Sequence, residues 1–279
     1  MTSIYKMSSL YNMMKTKYNL KSIPSSRIAT FDSFAVGLEK HHVGAFLEFD
    51  VTESRDKIRL LKKRGAGISF TAWLIKVIAG TLELYPEAAA FLLNKRKLIL
   101  FDDINISLMV EKKSGDSKVP MPVVIRQANK KNMEEITSEI ENARTHHLEA
   151  GEIVIHQKSP LIERLYYRLP GLCRRTIWRF LLRHPKLAYP KMGNVMVTSI
   201  GMMGRINGWF ITRSVHPVAF GIGSVIKKPV VIGDEIKIRE ILNMTVLVDH
   251  DAMDGAPMVR MLTGFTKAIE TGAYLNYQR

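Results

Sequence analysis

The stretch best equipped to do chemistry is Met244–Gly255, MTVLVDHDAMDG, in which a single histidine stands among three aspartates. An imidazole that titrates near neutrality can take up a proton and return it, which is the work of a general base. Such a base acts only within hydrogen-bond reach of its substrate, so His250 matters only if the chain holds it still. Its flanks suit that purpose. Val246–Val248 is an uninterrupted apolar run and predicts a strand buried on both faces, delivering Asp249 and His250 to its end. Asp251–Gly255 predicts a turn. Beyond it Met258, Met261, Leu262, Phe265 and Ile269 recur on one face of a helix, with Pro257 in the first turn and Asp254 or Gly255 as cap. A lone histidine at a strand end is more often structural than catalytic, so residue type alone allows base chemistry without requiring it.

Other chemistries find less support. Cys173 is the only cysteine, which excludes an internal disulfide framework and fits a reducing, cytoplasmic setting. It has no evident activating partner and reads as an ordinary packed or surface thiol. No Cys/His cluster has zinc spacing, and neither a Walker loop nor a G-x-G-x-x-G fingerprint is found, so no metal and no tightly bound cofactor is expected. His146 and His147, near the end of a predicted helix, read as a solvated cap favoured by the helix dipole. No apolar segment is long enough to cross a bilayer.

The elements that must position the histidine alternate between helix and strand. Residues 1–26 form a basic leader without an acid. SSRIATFDSFAVGLEK predicts a helix capped by Ser25 or Ser26, followed by a strand over Val43–Val51. Glu53–Arg64 predicts a polar helix. Its end, Lys62, Lys63 and Arg64, could meet cofactor phosphates or simply be solvated; no residue is singled out as cofactor-binding. Ser69–Leu84 predicts a long helix with Phe70, Leu74, Val77, Ile78 and Leu82 inward, stopped by Pro86. Leu98–Phe101, Ile104–Val110 and Met121–Ile125 predict strands, and Asn132–His147 a charged, exposed helix. Val195–Thr198, Phe220–Val225 and Glu235–Ile241 predict further strands, with KKPVVIGD connecting the last two. Such alternation implies an α/β domain with one core, residues 27–279.

The formal charge of +15 draws anionic partners, and its location matters. His156–Met192 holds nine lysines and arginines against one glutamate and predicts two short basic amphipathic helices divided by Pro170 and Gly171. Three roles stay open for it: resting on an anionic membrane, guiding a CoA-like anion, or packing between subunits. Specific nucleic-acid recognition is not expected, because no reading module accompanies the charge.

Asp249, His250, Asp254 and Gly255 fit the D-H-x-x-x-D-G signature of the catalytic domain of dihydrolipoamide acyltransferases, the acyl-carrying components of 2-oxoacid dehydrogenase complexes, and the H-x-x-x-D-G of chloramphenicol acetyltransferase. VMVTSIGMMG, Val195–Gly204, resembles that family's F-T-I-S/T-N-L-G-M-F-G segment. SFTAWLIKVIAGTLELYPEAAA, Ser69–Ala90, is similar to its helix ending in Pro-Glu, and DINISLMVEKKSGDSKVPMPVVI, Asp103–Ile125, resembles its paired central strands. The likeness spans roughly Arg27 to Gly272, with His156–Met192 as an insertion.

The resemblance implies a two-layer sandwich of the chloramphenicol acetyltransferase type, a mixed sheet with flanking helices. It implies an acyltransferase moving an acyl group from a CoA thioester to a thiol, hydroxyl or amine, directly and without an acyl-enzyme. His250 would be the base, Thr198 the hydroxyl at the oxyanion, and Asp254 the brace of the turn, with Arg27 as its ion-pair partner and Asp249 and Gly255 in support. Acyl-CoA would be co-substrate, and active sites would lie between subunits of a homotrimer or a multiple of trimers. The chain departs from the pattern at Asp251, where the dehydrogenase enzymes have arginine, and at Ser199, where they have asparagine. It also has no lipoyl domain upstream of residue 27, which favours a freestanding enzyme, cytoplasmic or peripheral on a membrane. The alternatives are a non-catalytic scaffold of the same fold and a basic membrane-surface binder.

Overall fold

A computed structural model describes residues 18–23, 26–114, 117–145, 165–200 and 206–275. Most of the leader, His146, His147, the first part of the basic segment and Gly201–Gly204 of the second motif lie outside them. Strands β1 (His42–Asp50), β2 (Phe91–Asn94), β3 (Lys97–Ile99), β4 (Ile106–Ser114), β5 (Ser117–Ile125), β6 (Val195–Ser199), β7 (Val218–Ile232) and β8 (Glu235–Asp249) are interleaved with seven helices among the described residues. The helices are α1 (Ser26–Gly37), α2 (Thr52–Lys63), α3 (Phe70–Leu84), α4 (Met133–Thr145), α5 (Gly171–Arg183), α6 (Pro185–Met192) and α7 (Gly255–Glu270).

Six strands make one mixed sheet in the order β1-β8-β7-β6-β4-β5, in which β6 runs parallel to both neighbours and the other pairs are antiparallel; β2 and β3 pair separately. Helices α3, α4 and α7 cover one face. Leu74, Val77, Ile78 and Leu82 of α3 and Met258, Met261, Phe265 and Ile269 of α7 are buried against Val195, Val197, Phe220, Met244, Val246 and Val248 of the sheet. Apolar side chains at helical spacing thus meet apolar side chains at strand spacing, and removing that surface from water is the dominant stabilising term. Ser69 caps α3 by accepting the Ala72 amide at 3.1 Å, as its position before an apolar run predicts.

Three expectations are corrected. Helix α4 is not wholly exposed, since Met133, Ile136 and Ile140 are buried. The strand pair β2–β3 takes in Phe91–Asn94, which the sequence reading passed over. KKPVVIGD is mostly strand rather than connector: β7 and β8 form one long hairpin in which Pro229 faces Ile238 and the chain reverses after Ile232, where Gly233 has φ of 61°. Proline is tolerated at that point because β6 pairs with β7 only through Ile222, so the far half of β7 has a free edge and needs no amide there.

Candidate active site

His250 begins where β8 ends. Val248 pairs with Val43 of β1 and with Val218 of β7, and Asp249 pairs with His42, so the strand is held on both sides up to its last residue. The turn is then fastened by backbone bonds. The Asp249 amide donates to Pro217 O at 2.8 Å and the His250 amide to His41 O at 3.0 Å, while Asp249 O accepts the amides of Ala252 and Met253. The Asp249 carboxylate, 2 % exposed, receives Lys40 Nζ at 2.6 Å and the Asp251 amide at 3.3 Å. A carboxylate taken out of water is tolerable only with such a counter-charge and donors. Asp254 closes the turn as N-cap of α7, its carbonyl accepting the Met258 amide, though its exposed side chain makes no capping bond. Gly255 starts the helix. The His250 ring itself is exposed.

A second pair of histidines braces the entry to this turn. His216 is buried, and its Nε2–H donates to Met192 O at 3.0 Å. A neutral ring then offers Nδ1 as acceptor, and the Ser214 hydroxyl stands 3.0 Å from it. Burial, which penalises the charged form, holds His216 down at about 4, and the same cause lowers His42, whose Nε2–H donates to His216 O at 3.0 Å. This chain of bonds ties β1, residues 214–217 and the end of α6 to the strand that carries Asp249. The approach to β6 is as tight: Gly193, with φ of 74°, lies so close to Asn105 that an added Cβ would sit 2.3 Å from its carbonyl oxygen.

Thr198 lies at the other end of the sheet. Val195, Val218 and Val248 share a row across β6, β7 and β8; Thr198 is three residues beyond that row in one direction and His250 two beyond it in the other. At strand geometry this separates them by about 16 Å along the strands and about 10 Å across them. One chain therefore does not bring the two together. Half-buried Thr198 shares its row with Gly221, Thr245 and Phe46, on the face turned away from α3 and α7. Phe210 lies over Gly221, and the Thr245 Oγ1 and Asn243 Oδ1 atoms are buried there without a hydrogen-bond partner among the described residues. Sequence reasoning missed this polar strip, because Asn243 and Thr245 look like ordinary strand residues.

Other expectations separate as well. Arg27 forms no ion pair with Asp254 among the described residues; its guanidinium lies 5.5 Å over the Phe31 ring, one turn along α1. Lys62, Lys63 and Arg64 are exposed at the end of α2, and Cys173 is an exposed thiol. The described residues contain no group of three or more His, Cys, Asp or Glu placed to hold a metal ion. Lys40 and His41 were not foreseen, although Lys40 provides the charge that neutralises Asp249.

The chain matches the family described as 2-oxoacid dehydrogenases acyltransferase (catalytic domain) over residues 25–154 and 183–275. The dihydrolipoyllysine-residue acetyltransferase component of the pyruvate dehydrogenase complex of Rickettsia bellii is 24 % identical over 76 % of this chain and 42 % of its own length. The chain spans about half the length, or less, of the curated relatives it first matches. Among solved structures, the probable dihydrolipoamide acetyltransferase of Listeria monocytogenes has a TM-score of 0.66 at 22 % identity, covering 94 % of this chain and 98 % of the other. The dihydrolipoamide acetyltransferase of Azotobacter vinelandii, studied for the role of a serine, a histidine and an asparagine in its catalytic mechanism, has 0.64 at 17 %, covering 93 % and 95 %. A chloramphenicol acetyltransferase has 0.50 at 13 %, covering 92 % and 98 %. These likenesses share the mixed sheet and flanking helices described above.

Proposed function

The chain belongs to the acyltransferase catalytic-domain family of the 2-oxoacid dehydrogenases, and from that membership we propose that it moves an acyl group between a CoA thioester and a thiol, hydroxyl or amine, with His250 as general base. The observation that carries the reading is the exposed imidazole at the end of a strand whose last residues are fixed by β1, β7 and the Lys40–Asp249 pair. His250 takes the proton of the acceptor as the acceptor attacks the thioester carbonyl. The oxyanion so formed accepts a hydrogen bond from the Thr198 hydroxyl. Collapse expels the CoA thiolate, which recovers the proton from the imidazolium, so no acyl-enzyme is needed.

The separation of Thr198 and His250 within one chain supports reading the site as one completed between subunits. Each site takes its histidine from one subunit and its hydroxyl from the next, in a cyclic homotrimer or a multiple of it. Asp254 serves through its backbone, setting the start of α7. In the Azotobacter vinelandii enzyme the named serine, histidine and asparagine are spaced by 52 and four residues, the intervals that separate Thr198, His250 and Asp254 here. We place the reaction in the cytoplasm, where the exposed Cys173 stays a thiol. Release of CoA thiol from acetyl-CoA in the presence of candidate acceptors tests the proposal. The His250→Ala variant should lose activity by roughly 10²–10⁴-fold; activity indifferent to that change rejects His250 as the base.

A further inference from the structure

Helix α5 turns two of its arginines toward α1. Arg174 turns inward, where its Nε donates to Asp32 at 2.6 Å, and the Tyr166 hydroxyl donates to the same carboxylate at 3.0 Å. Trp178 Nε1 donates to the Tyr166 oxygen at 3.1 Å, and Arg179 Nε reaches Glu39 at 2.9 Å. Asp32 lies within α1 and Glu39 just past its end, so Arg174 and Arg179 seat α5 on α1. The surface that α5 shows to water includes large apolar side chains: Leu172 is 72 % exposed, Phe180 55 % and Ile177 46 %, beside Thr176 and Arg183, and no residue of the helix is buried. Leu165 just before it and Leu187 on α6 are exposed too.

In the same segment Arg168 precedes α5, Arg183 is its last residue and Lys186 and Lys191 lie on α6, all exposed and forming no ion pair among the described residues. Residues 165–192 contain no acid at all. We propose that this face docks on an anionic lipid bilayer, with Leu172, Ile177 and Phe180 entering the acyl boundary and the cations meeting headgroup phosphates. The charge decides the occupant. A second copy of the same face brings only like charge, which repels, and a nucleic-acid backbone leaves the apolar centre in water; an anionic bilayer satisfies both parts of the surface at once. The family match passes over residues 155–182, so nearly all of α5 lies outside the stretch the family model describes. No helix among the described residues is long and apolar enough to cross a membrane, so docking is along the surface. The proposal stands independently of the acyl-transfer reading.

The test is flotation of the full chain with vesicles of phosphatidylcholine alone and of equimolar phosphatidylcholine and phosphatidylglycerol. Binding is expected to the anionic vesicles only, with release at high salt. Ile177→Ser/Phe180→Ser should weaken it by at least about tenfold through lost apolar burial, and Arg183→Gln/Lys186→Gln/Lys191→Gln by at least about tenfold through lost charge. Circular dichroism and sedimentation mass check that both variants remain folded and assembled as the parent does. No flotation with anionic vesicles overturns the proposal, as does equal flotation of parent and variants. A change of sedimentation mass in the apolar variant would assign the face to contacts between copies instead and likewise overturn it.

Discussion

The two ends of the central sheet are built on opposite terms. At the His250 end the turn is overdetermined: two neighbouring strands, an ion pair to a buried carboxylate, and a relay from half-buried His42 to buried His216 all fix the same few residues. At the Thr198 end the strand is short, the row beside it contains glycine, and two buried polar atoms on β8 lack partners among the described residues. Rigid placement at one end and unsatisfied polarity at the other suit a site that is completed only when a second subunit lays its histidine turn against the threonine end. On the proposed reading, preorganisation belongs with the base, whose geometry decides proton transfer, whereas the hydroxyl end must accommodate whatever substrate enters.

Breaking the fixed end should have the largest effect. Lys40→Met strands the Asp249 carboxylate in the interior and should destabilise the fold by about 3–5 kcal/mol, whereas Lys40→Met/Asp249→Asn should recover most of that loss; urea unfolding measures both. If the single variant is as stable as the parent, the turn is not held by that pair. At the threonine end, Thr198→Ala should lower kcat by roughly 10²–10³-fold with the melting temperature unchanged, and Thr198→Ser should restore most of the rate. A rate insensitive to Thr198→Ala would leave the oxyanion to another donor.

The histidine relay gives a pH signature. His216 stays neutral in the fold down to about pH 4, while its unfolded counterpart protonates near 6.5, so between those values the unfolded chain binds more protons. The stability of this group is therefore complete above about pH 6.5 and is lost progressively as pH falls toward 4, on the order of 3 kcal/mol in all. His42, lowered for the same reason, adds to the loss with the same sign. Urea midpoints taken at pH 7 and pH 4.5 should converge when His216→Gln replaces the parent, and an unchanged difference would place the acid sensitivity elsewhere.

How much of this was legible in the sequence depends on the range of the cause. The strand into His250 and the helix after it follow from local periodicity, and their buried residues are those the pattern selects. The long β7–β8 hairpin was cut short because Pro229 and Gly233 are turn residues by local rules, whereas proline is harmless there because no third strand lies beside that half among the described residues. Lys40 was invisible because it meets Asp249 across 209 residues. The roles left open for the basic segment did not include packing on α1, because Asp32 and Glu39, which pair with Arg174 and Arg179 of α5, lie far upstream. The expected Arg27–Asp254 pair is not formed within one chain among the described residues: motif spacing suggests partners but does not carry the direction of a side chain, and Arg27 lies over Phe31.

The central claim is that one site takes its base and its oxyanion donor from different chains, and mixing two inactive variants tests it most directly. His250→Ala and Thr198→Ala proteins, unfolded together in equal amounts and reassembled, should regain about a quarter of parental thiol release, because random cyclic association rebuilds that share of intact interfaces. A mixture no more active than either variant alone would contradict the shared site.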